Sequence, residues 1–177
     1  MSLSIYDVTV PVMLQGLAVM DDYLDHAQKL ERSKSLDPGS LLTARLAPDM
    51  LTFGEQFAVN CEKVELHLNK LMDRDRPARR IVAMIYPALQ GRLLETRGFL
   101  QTIQPEELAS AQTHTYQLTP TVARGWFSGD DYIRHVVLAD FFFHIAIAHA
   151  ILRHLGAPVG KKDYLGHLTP HSGGDYS

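Results

Sequence analysis

Two side chains in the last third of the sequence, Asp140 and His144, have the types and the spacing to do chemistry together. They are four residues apart, so they share one face if this segment is an α-helix. A carboxylate and an imidazole on a core-facing side of a helix need partners, because burying either one alone is costly. Apolar residues recur around the pair at helical intervals and predict that this face points into a core: Val136, Val137, Phe143, Ile147 and Ile151.

The spacing of Asp140 and His144 fits two interpretations. In the first, the pair forms a metal or acid–base site, with further ligands supplied by another helix. In the second, the two side chains form a buried hydrogen bond that fixes how the helices pack, since buried polar groups in proteins are normally satisfied by one another. From the spacing alone, we favour the second interpretation.

A second pair of polar residues, Gln56 and Asn60, is also four residues apart and flanks an apolar stripe that contains Phe53 and Phe57. Gln56 could act as a weak oxygen ligand, as a hydrogen-bond partner for a substrate or as a bridge between helices. We therefore predict a polar pocket formed by Gln56, Asn60, Asp140 and His144. Asp49 is assigned to the first turn of the same helix, where a carboxylate suits the helix dipole.

Other chemically capable residues lack companions in the sequence. His149 is predicted to lie off the face of Asp140 and His144, and His67 has no neighbour at ligand spacing. Cys61 is the single cysteine, which excludes an internal disulfide and a cysteine-based zinc site. Its position on an apolar stripe indicates a small core side chain.

The apolar periodicity predicts the elements that must position these residues. Long helices are expected at residues 4–34, from about 48 to 73, at 78–103 and at 129–155, and β-branched residues in the connection 104–128 favour a small β-hairpin. Four long helices with mostly short links indicate an all-α, antiparallel four-helix bundle. We expect one domain over residues 1–166 and a poorly ordered Gly/Ser/His-rich tail at 167–177.

The charge and the apolar pattern of the sequence argue against several classes of function. The formal net charge is −3 and the arginines near residue 76 alternate with aspartates, so a nucleic-acid partner is not expected. The first ten residues lack the pattern of a signal peptide. The longest apolar stretch, residues 141–152, is interrupted by two histidines and is too short to span a bilayer. The sequence therefore predicts a cytoplasmic protein without a membrane segment.

Several stretches resemble a known family. The segments SIYDVTVP at 4–11, RLAPDM at 45–50, DFFFH at 140–144 and GKKDYLG at 160–166 are similar to the DinB/YfiT-like superfamily of helical bundles. They resemble most closely its uncharacterised branch, known as domain of unknown function family 1993. The order of the helices, with a long connection before the last one, matches the same superfamily.

The resemblance implies a bundle that is often dimeric, and we expect a homodimer. Typical members bind a divalent metal through three histidines, one on the second helix and two on the last, and some use low-molecular-weight thiols. Carried over by spacing to Gly156, these positions fall on Gln56, Asp140 and His144, so one histidine of three remains. Such a set could hold Zn, Ni, Mn or Fe more loosely than three imidazoles do.

Two functional hypotheses follow. The first is a small-molecule-binding or interaction protein whose pocket derives from the family's metal site and needs no cofactor. The second is a divalent-metal-dependent hydrolase or thiol transferase, in which Asp140 and His144 ligate the ion and Gln56 completes or orients the shell.

Overall fold

The first helix of the chain, α1 (Ile5–Ser33), begins with a capping box in which Ser4 and Asp7 bond to each other's backbone amides. The computed structural model describes residues 4–75, 83–118 and 125–168. One face of α1 is fully buried and supplies much of the core. At the end of the helix, the buried Glu31 carboxylate accepts hydrogen bonds from the backbone amides of Gly39 and Leu41, which fixes the following turn.

The second helix, α2 (Phe53–Leu71), begins later than its apolar pattern predicts. Thr52 and Glu55 form a capping box, which defines the first turn. Pro48 and Asp49 lie in the preceding non-helical turn, so the assignment of Asp49 to the first turn of α2 is wrong. Glu55 is the carboxylate that lies near the positive end of the helix dipole.

The third helix, α3 (Tyr86–Thr102), is also shorter than predicted. Residues 83–85 are not helical, and Pro87 lies in the first turn, where its missing amide hydrogen costs no helical hydrogen bond. The proline therefore marks the start of the helix. The earlier part of the predicted helix, residues 78–82, lies outside the described residues.

The connection before the last helix contains the predicted hairpin. Strands β1 (Thr115–Gln117) and β2 (Trp126–Ser128) pair antiparallel, with Tyr116 opposite Phe127. Two short 3₁₀ turns, Pro105–Leu108 and Ala111–Thr113, precede β1. Residues 119–124, between the strands, lie outside the described part of the chain.

The last long helix, α4 (Gly129–His154), is capped by Ser128 and contains a π-helical turn at Ile133–Val137. After Gly156, which has the positive φ of 98° expected at a helix end, the chain forms the short helix α5 (Lys161–Leu165). The side chain of Gln15 donates to the Leu165 carbonyl and holds α5 against α1. Most of the tail predicted to be poorly ordered, residues 169–177, lies outside the described residues, and the domain boundary at 166 stays a prediction.

The four long helices form the predicted antiparallel bundle. Contacts between α2 and α4 pair early positions of one helix with late positions of the other, as antiparallel packing requires. By length and composition alone, α4 is apolar enough to cross a membrane, and 39% of its most apolar window is buried. Helices of a water-exposed bundle pass the same test, so the expectation of no membrane segment stays a prediction.

Candidate functional site

Asp140 on α4 is the centre of a polar network between α4 and α2. Its Oδ2 atom lies 3.3 Å from His67 Nε2 and 3.3 Å from Lys63 Nζ. Its Oδ1 atom lies 3.6 Å from His144 Nε2, one turn further along α4. About a quarter of the Asp140 side chain is exposed, whereas both histidines are buried. The carboxylate therefore faces two imidazoles and one ammonium group at the edge of the core.

Gln56 fixes the orientation of His144. The Gln56 side-chain amide donates to the Leu51 carbonyl at 3.1 Å, which leaves its Oε1 atom, 2.8 Å from His144 Nδ1, as an acceptor. His144 therefore donates its Nδ1 hydrogen to Gln56, and its Nε2 atom faces Asp140.

His67 is part of the network, contrary to the expectation that it lacks a companion. Its Nδ1 atom is 2.7 Å from the hydroxyl of Tyr132, and its Nε2 atom faces Asp140. Every group is satisfied when Tyr132 donates to Nδ1 and the Nε2 hydrogen is donated to the carboxylate. The sequence contains one signal of this role: Gln56, Lys63 and His67 recur at intervals of seven and four, which places them on one face of α2.

The π-helical turn brings Tyr132 into the same cluster. Tyr132 and Asp140 are eight residues apart, which in a regular helix of 3.6 residues per turn would separate them by roughly 80° around the axis. The turn at Ile133–Val137 absorbs about one extra residue, so the two side chains are separated by nearly two whole turns. Both consequently face His67.

The groups of the network shift the pKa values of Asp140 and Tyr132 in opposite directions. Burial by itself raises the pKa of the Asp140 carboxyl, but the imidazoles of His144 and His67 and the charge on Lys63 outweigh burial and hold that pKa well below its usual range. Burial, together with the nearby negative charge of Asp140, raises the pKa of Tyr132. Asp140 is therefore an anion and Tyr132 a neutral hydrogen-bond donor across the physiological pH range.

A cavity of about 400 Å³ opens beside this network. Its polar lining comes from the network and from two further bases: Lys63, His67, Lys70, Tyr132, His135 and Asp140. Its apolar walls are Leu66, Leu118, Val136 and Phe143. The volume lies in the range of pockets that bind small organic molecules, and the mixture of apolar walls and a few polar groups is typical of them.

Three of the four residues predicted to form the pocket belong to the Asp140 network, and the fourth, Asn60, does not. Gln56, His144 and Asp140 are joined by the contacts given above, and Asp140 alone of the four lines the cavity. Asn60 is fully buried, and its side-chain nitrogen lies 3.1 Å from the sulfur of Met20 on α1, on the other side of the core. His149, as expected, lies outside the network, where its Nδ1 atom is 2.7 Å from the Tyr23 hydroxyl.

The arrangement of donors does not fit a metal ion. The oxygen of Gln56 accepts from His144 and is not aimed at the carboxylate, and the ammonium of Lys63 already lies beside Asp140 Oδ2. Within residues 4–75, 83–118 and 125–168, no three His, Cys, Asp or Glu side chains are grouped around a common point. Protein zinc sites hold the ion with three or four such side chains, whose nitrogen or oxygen atoms lie about 2.0–2.2 Å from it.

Comparisons with known proteins agree with the fold. The chain is similar to a DinB family member protein from Shewanella denitrificans, whose crystal structure was determined at 1.83 Å resolution. The two share 27% identity over 92% of each chain, with a TM-score of 0.84. No curated protein matches the chain. The fold is therefore that of a DinB-like helical bundle.

Within that class the family can be stated. The family model of the domain of unknown function DUF1993 matches residues 5–165, and the chain belongs to this family. The match includes all four long helices and every residue of the Asp140 network.

Proposed function

We propose that the protein binds a small organic molecule in the cavity between α2 and α4. The observation that supports this proposal is that the 400 Å³ cavity opens directly onto the Asp140 network, while its walls are apolar. Apolar walls supply the binding energy of a typical small-molecule site, and a few fixed polar groups supply its orientation.

Each network residue has a distinct task in this proposal. Gln56 and His144 lie behind Asp140 and position its carboxylate. Asp140 in turn holds Lys63 and His67 at the cavity surface. Tyr132 fixes the other nitrogen of His67, so a ligand would meet side chains whose positions are already determined.

A fragment screen followed by nuclear magnetic resonance tests this proposal. We expect bound fragments to shift the amide resonances of Lys63, His67 and Asp140. The variant Leu66→Trp fills the cavity and should abolish these shifts. Leu94→Trp alters an exposed leucine on α3, away from the cavity, and should preserve them. Fragments that bind equally well to Leu66→Trp would contradict the proposal.

The sequence also left open a divalent-metal-dependent hydrolase or thiol transferase that uses Asp140, His144 and Gln56. Metal analysis of the purified protein beside Asp140→Ala and His144→Ala distinguishes this alternative. The binding proposal expects no stoichiometric metal and no thermal shift with Mn²⁺, Ni²⁺ or Zn²⁺. Stoichiometric metal that is lost in both variants would contradict a pocket without a cofactor and would favour the alternative.

We further propose that two copies of the chain associate through α4. The exposed face of this helix carries an uncharged apolar stripe at helical spacing, formed by Ala139, Phe142, Phe143 and Ala146. The two alanines allow a second helix to approach closely. A stripe of this kind can pair with itself about a two-fold axis, which is the usual symmetry of protein dimers.

A further inference from the structure

We infer that the ligand of the α2–α4 cavity is a small amphipathic anion, a carboxylate with an apolar tail, whose head group is held by Lys63. This inference rests on the proposed function, because it names the class of molecule that the same cavity takes. It goes beyond that function by assigning the charge of the ligand and the residue that anchors it.

The first argument is the charge of the cavity. Two lysines and two histidines line it, and Asp140 is the sole acidic side chain among its described lining residues. Asp140 is already engaged by Lys63, His67 and His144, so its charge is largely compensated within the protein. The remaining lining is therefore electropositive and attracts an anion.

The second argument is the geometry of Lys63. The Lys63 ammonium group lies 3.3 Å from Asp140 Oδ2, and about a third of the Lys63 side chain is exposed. A lysine ammonium has three N–H donors, and the carboxylate of Asp140 fixes the group without using all three. A ligand carboxylate at the cavity surface can accept from the remaining donors, in a charge-assisted hydrogen bond.

The third argument is Lys70, which adds a second positive charge to the cavity. Its ammonium donates to the Gln117 carbonyl and lies 5.3 Å from the centre of the Tyr132 ring. Burial lowers the pKa of Lys70, because it disfavours the charged ammonium group. An anion in the cavity would stabilise the charged form of this side chain.

The fourth argument is the apolar wall. Leu66 is 44% exposed and Phe143 is 54% exposed, and both line the cavity together with Leu118 and Val136. A ligand with an apolar tail would remove this surface from water. Asp140 offsets one of the two lysine charges of the described lining, so a singly charged carboxylate matches the remaining charge better than a doubly charged phosphate does.

Three probes of equal chain length test the inference: octanoate, octanol and octylammonium, each titrated below the concentration at which it forms micelles. Binding is followed at the amide resonances of residues that line the cavity. We expect octanoate to bind about tenfold more tightly than octanol. Octylammonium should bind most weakly, and the affinity for octanoate should fall as salt is added.

Variants of Lys63 locate the anchor. Lys63→Gln should weaken octanoate binding about tenfold and leave octanol binding unchanged, whereas Lys63→Arg should retain most of the octanoate affinity. Lys162→Gln removes an exposed lysine of α5 and should change neither. A melting temperature recorded for each variant verifies that the fold is intact.

The outcomes distinguish this inference from the proposed function. Octanol or octylammonium binding in the cavity as tightly as octanoate would overturn the anionic ligand and leave the binding function in place. Octanoate binding that is insensitive to Lys63→Gln would overturn the anchor. If none of the three probes binds, the inference is overturned, and the fragment screen decides the binding function independently.

Discussion

Asp140 illustrates how a single carboxylate can organise neighbours from two helices. Lys63 and His67 come from α2, and His144 comes from α4, yet all three direct nitrogen atoms at the same side chain. The negative charge of Asp140 therefore stabilises the folded protein more than an isolated surface charge would, because several donors share this one carboxylate.

The substitution Asp140→Asn keeps the shape of this side chain and removes its charge. We expect it to lower the free energy of unfolding by roughly 1–2 kcal/mol, a value reduced for the partial exposure of the site. Urea denaturation measures the effect. Asp25→Asn, at an exposed position of α1, is the matched control and should change stability by less than about 0.5 kcal/mol. Equal effects of the two substitutions would contradict the role given to Asp140.

His149 predicts a pH dependence outside the Asp140 network. Burial and the charge of Arg153 lower the pKa of His149, with Asp163 acting in the opposite direction, and the Tyr23 hydroxyl donates to the neutral ring. The unfolded chain, with its ordinary value of 6.5, binds a proton more readily than the folded chain does. This contribution to stability is therefore present above pH 6.5 and is lost as the pH falls below it.

The test of this dependence is urea denaturation at pH 7.5 and pH 5.5. The wild-type protein should lose more stability between the two values than His149→Gln, which cannot take up the proton. The other histidines are the same in both proteins, so the difference isolates His149. An identical loss in the two proteins would mean that the Tyr23–His149 contact does not oppose protonation.

At the scale of elements, α1 and α4 pack unusually closely. A Cβ atom added to Gly16 would lie 2.5 Å from Cζ of Phe141 and 2.8 Å from Cδ1 of Ile145. Only a glycine permits this approach without displacement of α4. The contact fixes the position of the helix that carries Asp140 and His144.

Gly16→Ala should therefore destabilise the protein by roughly 1–3 kcal/mol, because overpacking outweighs the gain in helix propensity. Gly91→Ala is a matched control on α3, since nothing lies within 4 Å of the added Cβ atom. The control should be stabilising by roughly 0.5–1 kcal/mol. Thermal denaturation measures both variants. If α1 packs on α4 as described, the melting temperature should fall for Gly16→Ala and rise for Gly91→Ala.

The elements also explain which parts of the site the sequence predicted. Asp140 and His144 share one helix, so their spacing alone placed them together, and the resemblance of the chain indicated Gln56. Lys63, His67 and Tyr132 come together because of how α2 and α4 are aligned against each other. The spacing of residues within one helix does not predict this alignment. The π-helical turn adds a further displacement that a regular helical periodicity misses.

The helix boundaries show the same limit. Apolar periodicity correctly indicated four long helices, and β-branched residues correctly indicated the hairpin. The same periodicity placed the start of α2 near Pro48. The helix begins at the capping box of Thr52 and Glu55, whose side chains accept hydrogen bonds from each other's backbone amides. These amides have no partner within the helix, and the apolar pattern carries no information about them. Pro87 had the same effect at the start of α3.

At the scale of the whole molecule, the proposed homodimer would bury the exposed apolar stripe of α4. Phe143 belongs both to this stripe and to the wall of the cavity. Association of two copies would therefore take place beside the ligand, and occupancy of the cavity could influence the interface.

Ala146→Glu introduces a charge into the stripe, beside Phe142 and Phe143, and should convert the dimer into a monomer, because an unpaired charge in an apolar interface is strongly unfavourable. Ala146 is exposed, so the fold of the monomer should be unaffected. Ala109→Glu, in an exposed turn away from α4, is the control and should remain dimeric. Sedimentation velocity measures both, and a wild-type protein that sediments as a monomer would refute the dimer.

The position of α5 has a practical consequence for shortened versions of the protein. Tyr164 and Leu165 line a small hollow of about 240 Å³ together with Gly16, Phe142 and Ile145. A chain cut before Lys161 would open the close contact of α1 with α4 to water and would remove Tyr164, one of two aromatic rings beside His149. Affinity tags at the carboxyl terminus are therefore best separated from Gly166 by a linker, so that removing the tag leaves this cover in place.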